Sequence, residues 1–430
     1  MGTKVLPWLV VVSVAVAAWG QAPSAPMQLS LKDAEAIALK NNPQISVARL
    51  TALASQQVTR EVRSNLWPTA TVSLTGVAAR SGSRIAAGAL NNPVLYERAA
   101  TGTTVSQLIT DFGRTTNLVA SANLAAKAQD QNATATREQI LLAVHKAFYG
   151  ALQAHAVSQV AEQTVNARQT VADQVSALFK TKLKSELDLS FANVNLSQAK
   201  LLLLDAQNNE NAAMATLSSI LGYPNLHNFQ LVEETTALAP PPTSVDSLIA
   251  DAMAQRPEIL SLEFEHQSAQ KYQTAQRDLL FPTIRAMGVV GDVPVRNPII
   301  PNWYGAVGVN VDIPVFDGFR YVALAREAEL RAQAANERLL DLRNRISRDV
   351  RTSWLNANTA YQRVAVTQQL LQQANLALDL AQTRYKLGLG SIVELSQAQL
   401  QQTQGQISYA QAGYDYRLAL AILRYQTTGL

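Results

Sequence analysis

The stretch Tyr385-Lys-Leu-Gly-Leu-Gly-Ser-Ile-Val-Glu394 separates two long helical patterns. Glycine tolerates the left-handed backbone that closes a helix C-terminus, so Gly388 and Gly390 mark the end of the first helix. Ser391, followed three residues later by Glu394, has the spacing of a capping box that starts the second. The same layout stands earlier as Phe179-Lys-Thr-Lys-Leu-Lys-Ser-Glu-Leu-Asp188, with Ser185 and Asp188 in the cap and third positions. Both pairs are 206 residues apart, 185 to 391 and 188 to 394. Two helical hairpins with matched turns imply a duplicated chain.

Each turn is reached through a very long helical pattern. The first opens at Asp111-Phe-Gly-Arg114 and reaches about residue 180; the second opens at Phe316-Asp-Gly-Phe-Arg320 and reaches about residue 387. Asp317 lies 206 residues after Asp111 and reads as the helix cap. At 1.5 Å per residue the first helix spans on the order of 100 Å, which demands lateral packing along a bundle or coiled coil. Stripes containing Ala120, Leu124 and Ala128, and Ala323, Leu330 and Ala334, suit packing against neighbours on both sides, as in a tube. A closed antiparallel coiled coil with a dry core is the alternative. After the turns, helices run from 187 to about 221 and from 392 to about 425.

Upstream of each long helix the period changes to two. Ala70, Val72 and Leu74 alternate with Thr69, Thr71, Ser73 and Thr75, and a weaker strand follows at about 99–109. Ile284, Ala286 and Gly288 give a loose third strand. In the fourth, Trp303, Gly305, Val307, Val309, Val311 and Ile313 alternate with Tyr304, Ala306, Gly308, Asn310 and Asp312, ended by Pro314. Two shorter helices precede the strands in each half, at 30–40 and 43–66, and at 244–255 and 257–280. Pro43 and Pro257 are 214 apart, as are Pro68 and Pro282. The fall from 214 to 206 places an eight-residue longer loop, at about 80–92, between the first two strands. Residues 225–244, with Pro240-Pro241-Pro242, read as an extended linker. The expected divisions are 1–20, 21–242 (first repeat) and 243–430 (second repeat).

Composition narrows the function. Of 430 residues 48% are hydrophobic, only 6% aromatic and 16% charged, a mix suited to close helix packing. The net charge of +4 is too small and dispersed to argue for nucleic acid. The lack of cysteine excludes disulfides, thiolate catalysis, cysteine-bound metals and a lipid anchor on cysteine. Lys4, the apolar run Leu9 to Ala18 and the small residues of Ala18-Trp19-Gly20 form a signal peptide pattern, with cleavage before Gln21 and export as the consequence. No later stretch approaches the roughly 20 apolar residues of a membrane helix, so membrane entry requires strands in a closed barrel. Four strands per chain leave open edges, whereas three chains supply twelve, the smallest comfortable symmetric solution. The strand pattern alone equally fits a soluble β-layer packed on the helices.

His145, His155, His227 and His266 have no metal-ligand spacing, and Glu263, Glu265 and His266 read as solvated on an exposed helix. There is no serine-nucleophile signature, and Gly388-Leu-Gly390 follows no strand, so neither an enzyme nor a cofactor is expected. Lys180, Lys182 and Lys184 form a basic run at the first turn, read as a solvated turn or as a partner contact.

The duplicated order, the Phe-Asp-Gly-x-Arg start at 316–320 and the Tyr-x-x-Gly-x-Gly-Ser-x-x-Glu turn at 385–394 resemble the TolC-like outer membrane efflux protein family over about residues 29–426. The resemblance implies a mainly α protein with a small β part. Its long hairpins would form an α-barrel, and its four strands would join a homotrimeric, twelve-stranded transmembrane β-barrel in outer-membrane lipid. It implies a passive export duct across the periplasm and outer membrane for tripartite efflux or type I secretion, with a periplasmic adaptor and an inner-membrane pump as partners. Glu394 then falls on an aperture carboxylate position, Gln397 on a second, and Tyr385 on an aromatic that latches the closed end. Gly390 stands where some relatives have a locking arginine. The turns Lys182, Lys184 and Ser185, and Gly388, Gly390 and Ser391, match tips that meet the adaptor, while Asp188 and Asp317 serve as helix caps. Glu394 is either a cap, an aperture residue or both. A soluble periplasmic coiled-coil scaffold without channel activity is the alternative function.

Overall fold

The structure is a computed structural model and describes residues 27–78, 98–227, 229–233, 238–293 and 301–429. The proposed signal peptide, the leader after it and the longer strand loop at 80–92 lie outside those residues. Strand β1 (Met27–Leu29) leads into α1 (Leu31–Asn41) and α2 (Pro43–Ser64), then β2 (Thr69–Val77) and β3 (Arg98–Thr110). The long helix α3 (Arg114–Lys180) and α4 (Glu186–Ile220) form the first hairpin, followed by β4 (Phe229–Leu231). The order then recurs as α5 (Val245–Gln255), α6 (Pro257–Arg277), β5 (Thr283–Asp292), β6 (Trp303–Asp312), α7 (Arg320–Lys386) and α8 (Ile392–Thr427). Both α3 and α7 contain 67 residues, about 100 Å of helix.

The segment 225–244 is not simply an extended linker, because Phe229–Leu231 pairs in parallel with Met27–Leu29. Leu29 and Phe229 thereby enter a core with Ala38, Val144, Phe148, Leu217 and Leu221. A second core holds Ala252, Ile259, Ile346 and Val350. Ala38 and Ala252 differ by the 214 offset, and Val144 and Val350 by the 206 offset, so the sequence repeat is also a repeat of packing.

Buried residues on α7 recur at Ala332, Leu339 and Ile346, and again at Thr367, Ala374 and Ala381, in steps of seven. That is a coiled-coil seam, in which a 3.5-residue repeat keeps one stripe on its partner. The stripe Ala323, Leu330 and Ala334 is exposed within the single chain, so it is not the seam of this hairpin. On α3, Ala128 is buried as expected. Helix α6 is not an exposed helix either. It packs between α3 and α7, Ser261 donates to the Ala128 carbonyl at 3.1 Å, and Glu263 pairs with Arg343 at 2.6 Å.

The strands form one antiparallel sheet in the order β2-β3-β5-β6. Its register aligns the four alternations. Val72 faces Thr103, which faces Val290, which faces Gly305; Ala286 faces Val309. Residues directly opposite share a face, so Ala70, Val72, Leu74, Val105, Val290, Val307, Val309 and Val311 lie on one side. Thr71, Ser73, Thr104, Ser106, Arg285, Asn310 and Asp312 lie on the other. Gly102, Gly291 and Tyr304 are in register, and a Cβ on either glycine would collide with the Tyr304 hydroxyl. The sheet does not pack on the helices. Leu74 is 83% exposed and Val307 91%, which removes the soluble β-layer reading.

Candidate functional site

The two hairpin tips lie side by side, joined by a core of Ala172, Val175, Ala192, Leu196, Ala381, Tyr385, Ile392, Leu395 and Ala398. The backbone closes both in the same way. The Leu183 N–H donates to the Leu178 carbonyl at 2.9 Å and that of Lys182 to Phe179 at 2.9 Å. At the second tip Leu389 donates to Arg384 at 2.8 Å and Gly388 to Tyr385 at 3.2 Å. This paired closure requires a left-handed residue after the helix. Gly388 supplies it at φ +74°, and Lys182, its counterpart, adopts φ +62° with a side chain. Gly390 is not left-handed, so one glycine rather than two stops α7.

The two caps differ. Ser185 accepts from the Asp188 N–H at 3.1 Å, and the Asp188 carboxylate accepts from both the Ser185 N–H, at 3.0 Å, and its hydroxyl, at 2.7 Å. That is a complete capping box. The Ser185 hydroxyl bond, helped by Lys184, holds the Asp188 carboxyl below the usual aspartate range. Ser391 likewise accepts from the Glu394 N–H at 3.1 Å, but Glu394 returns no bond to Ser391. Its carboxylate instead meets Arg384 Nε at 3.0 Å. The expected box at the second tip is therefore only half formed. Arg384 also donates to the Leu389 carbonyl at 3.2 Å, tying the loop down.

Asp317 is a cap in function but not in position. The residue before α7 is Phe319, and Asp317 accepts from the Tyr321 N–H at 2.8 Å from two residues further back. Asp111 treats the Thr115 N–H in the same way, at 2.8 Å.

Tyr385 is buried, and its hydroxyl has no hydrogen-bond partner among the described residues. Burial, followed by the nearby Asp188 charge, raises its pKa. The Lys184 ammonium sits 3.8 Å from the centre of its ring, a cation–π contact between the two tips. Asn195 adds a second bridge, donating to Ser396 Oγ at 2.7 Å. Lys184 is thus not merely solvated, whereas Lys182 and Ser185 are exposed. Glu394 and Gln397, three residues apart on α8, share an exposed face. Leu183, Leu187, Leu387, Leu389 and Val393 project from the tips, each more than half exposed. Arg384 is not among the site residues expected from the sequence. The available signal was that the corresponding residue of the first tip is Leu178, so only the second turn has an arginine at that position.

Among the described residues no cluster of His, Asp and Glu has a metal-binding arrangement. His145 pairs with Glu35 at 2.7 Å and His155 with Glu210 at 2.6 Å. No described helix is long and apolar enough to cross a membrane.

Known proteins share this fold and resemble this sequence. The chain is 23% identical over 326 residues to the outer membrane efflux protein BepC of Brucella suis, covering 74% of this chain and 69% of that protein. It is 24% identical over 318 residues to the outer membrane protein TolC of Vibrio cholerae, covering 71% of each. The fold matches the outer membrane channel CmeC of Campylobacter jejuni with a TM-score of 0.83 at 17% identity, covering 93% of this chain and 85% of that one. It matches CusC, a transmembrane channel former, with a TM-score of 0.80 at 19% identity, covering 93% and 92%. The sequence profile of outer membrane efflux proteins matches residues 36–223 and 248–428, one segment on each hairpin. The chain belongs to the outer membrane efflux protein family.

Proposed function

We propose that three copies of this chain form a closed duct, with twelve strands in the outer membrane and the long hairpins arranged as an α-barrel in the periplasm. That the protein is an outer-membrane efflux channel, of a transport rather than an enzyme family, follows from its family. The assembly, its partners and the roles of individual residues are the proposal. The observation that carries it is the sheet. Its edge strands β2 and β6 are open, and one face presents Val72, Leu74, Val307 and Val309 uncovered. In water such a sheet would aggregate. In a trimer β6 of one copy pairs with β2 of the next, the apolar face meets lipid and the Thr, Ser and Asn face lines a wet lumen. A soluble scaffold offers that face no cover.

The duct serves tripartite efflux or type I secretion, with a periplasmic adaptor docking on the exposed leucines and Lys182 at the tips and an inner-membrane pump beyond. Glu394 and Gln397 line the aperture, and Tyr385 with Lys184 holds the two hairpins together there. Residues 1–20 act as the signal peptide, and the repeats 21–242 and 243–430 descend from one duplicated unit. Cell fractionation with planar-bilayer recording of the purified protein tests the assembly. Outer-membrane residence and discrete conducting steps are expected. A protein that stays in the soluble periplasmic fraction and forms no channel would overturn the duct.

A further inference from the structure

The tip geometry adds a residue to the mouth of this duct. We infer that Arg384 is its selectivity-determining residue: by pairing with Glu394 inside each chain, it cancels the carboxylate ring and keeps the aperture from selecting cations. This rests on Glu394 lining the aperture.

Three observations point the same way. First, a glutamate in the third helical position normally bonds back to the cap residue, and Asp188 does so at the other tip, yet Glu394 turns to Arg384 at 3.0 Å. Second, the loop is built around that pair. A Cβ on Gly390 would stand 3.2 Å from both Glu394 Oε2 and the Arg384 Cβ, so any larger residue there would press on both partners. The counterpart of Gly390 is Lys184 and the counterpart of Arg384 is Leu178, so the first tip has no arginine at the position that pairs with Glu394, and Asp188 is left to its cap. Third, the surrounding charge does not restore an acidic mouth. Across 178–188 and 384–394 there are five basic residues and three acidic ones.

An ion pair this exposed contributes little to stability. Its consequence is in the field. An isolated carboxylate ring at a constriction concentrates cations, whereas each paired carboxylate presents a short dipole whose potential falls off faster than that of a bare charge and is screened beyond about 10 Å at 0.1 M salt.

The test is the reversal potential of the reconstituted trimer in a KCl gradient, with block by the trivalent hexamminecobalt ion as a second readout. The unmodified channel is expected to show little cation preference and weak block. Arg384→Gln, which frees the carboxylate, is expected to raise the K+ over Cl− permeability ratio about threefold and to tighten the trivalent block about tenfold. Arg384→Lys, which keeps the charge, should stay near the unmodified value, and Glu394→Gln should move the potential toward Cl−. If Glu394→Gln shifts selectivity and Arg384→Gln does not, Arg384 has no such role and the aperture assignment stands. If neither variant moves the potential, Glu394 does not line the aperture and both ideas fall. Strong cation selectivity of the unmodified channel overturns the inference without any variant.

Discussion

The two tips share one backbone and differ in what their side chains do with it. Both close on the same pair of main-chain hydrogen bonds, and both start the return helix on a serine. At the first tip a lysine holds the left-handed position and an aspartate completes the cap. At the second a glycine relaxes the turn, the aromatic at its base is buried, and the glutamate leaves its cap for an arginine. The repeat presents one stable reversal twice. The first tip uses its carboxylate to complete the cap, and the second holds its carboxylate in a partly exposed ion pair.

The largest expected effect separates the two aromatics. Tyr385 is 8% exposed and Phe179 37%. Tyr385→Ala should cost about 3 kcal/mol of tip stability, as large-to-small changes in a core do, and Phe179→Ala about 1 kcal/mol. Hydrogen exchange across the ends of α3 and α7 reads the difference. Equal losses would break the distinction between a buried second tip and a looser first one.

The left-handed positions come next. Gly388→Ala should destabilise its turn by about 1 kcal/mol, because an added Cβ meets no neighbour and the cost is conformational alone. Lys182→Gly should relieve the same strain at the first tip, less the entropy glycine adds to the unfolded chain. Amide protection at Leu183 and Leu389 should move in opposite directions in the two variants.

The caps give a smaller effect with a sign in pH. Asp188→Ala should lower protection of the first turn of α4 about fivefold, equivalent to about 1 kcal/mol. Glu394→Ala should leave the first turn of α8 nearly unchanged, since its carboxylate accepts no cap hydrogen. The folded-state pKa of Asp188 is depressed, so its contribution is complete above the usual aspartate range. It is lost as pH falls through the lowered value. Acidification below about pH 4 should therefore loosen the start of α4, and Asp188→Asn should abolish that pH dependence.

Much of the fold was legible because it rests on periodicity and spacing. Four alternating strands, two 67-residue helices and both serine caps stand in the sequence at repeated offsets. The pairing of Met27–Leu29 with Phe229–Leu231 was not legible, because three residues carry no period and their partners lie two hundred positions apart. The exposed stripe of Ala323, Leu330 and Ala334 misled for a related reason. A long helix in a tube carries more than one apolar stripe, and composition does not say which one packs within the chain. At the candidate site the caps could be read from spacing, but the diversion of Glu394 could not. Arg384 lies ten residues before Glu394 across a turn, a separation no helix rule pairs, and only the closed loop brings the two to 3.0 Å.

The central claim is that the second tip, and not the first, presents its carboxylate to the aperture. The chain has no cysteine, so a single introduced thiol reports without background. Glu394→Cys and Asp188→Cys channels should be recorded in planar bilayers while a bulky, charged thiol reagent is added on the tip side. Current should fall stepwise in Glu394→Cys, as up to three thiols react, and stay unchanged in Asp188→Cys. Equal block in both, or block only in Asp188→Cys, would contradict the claim.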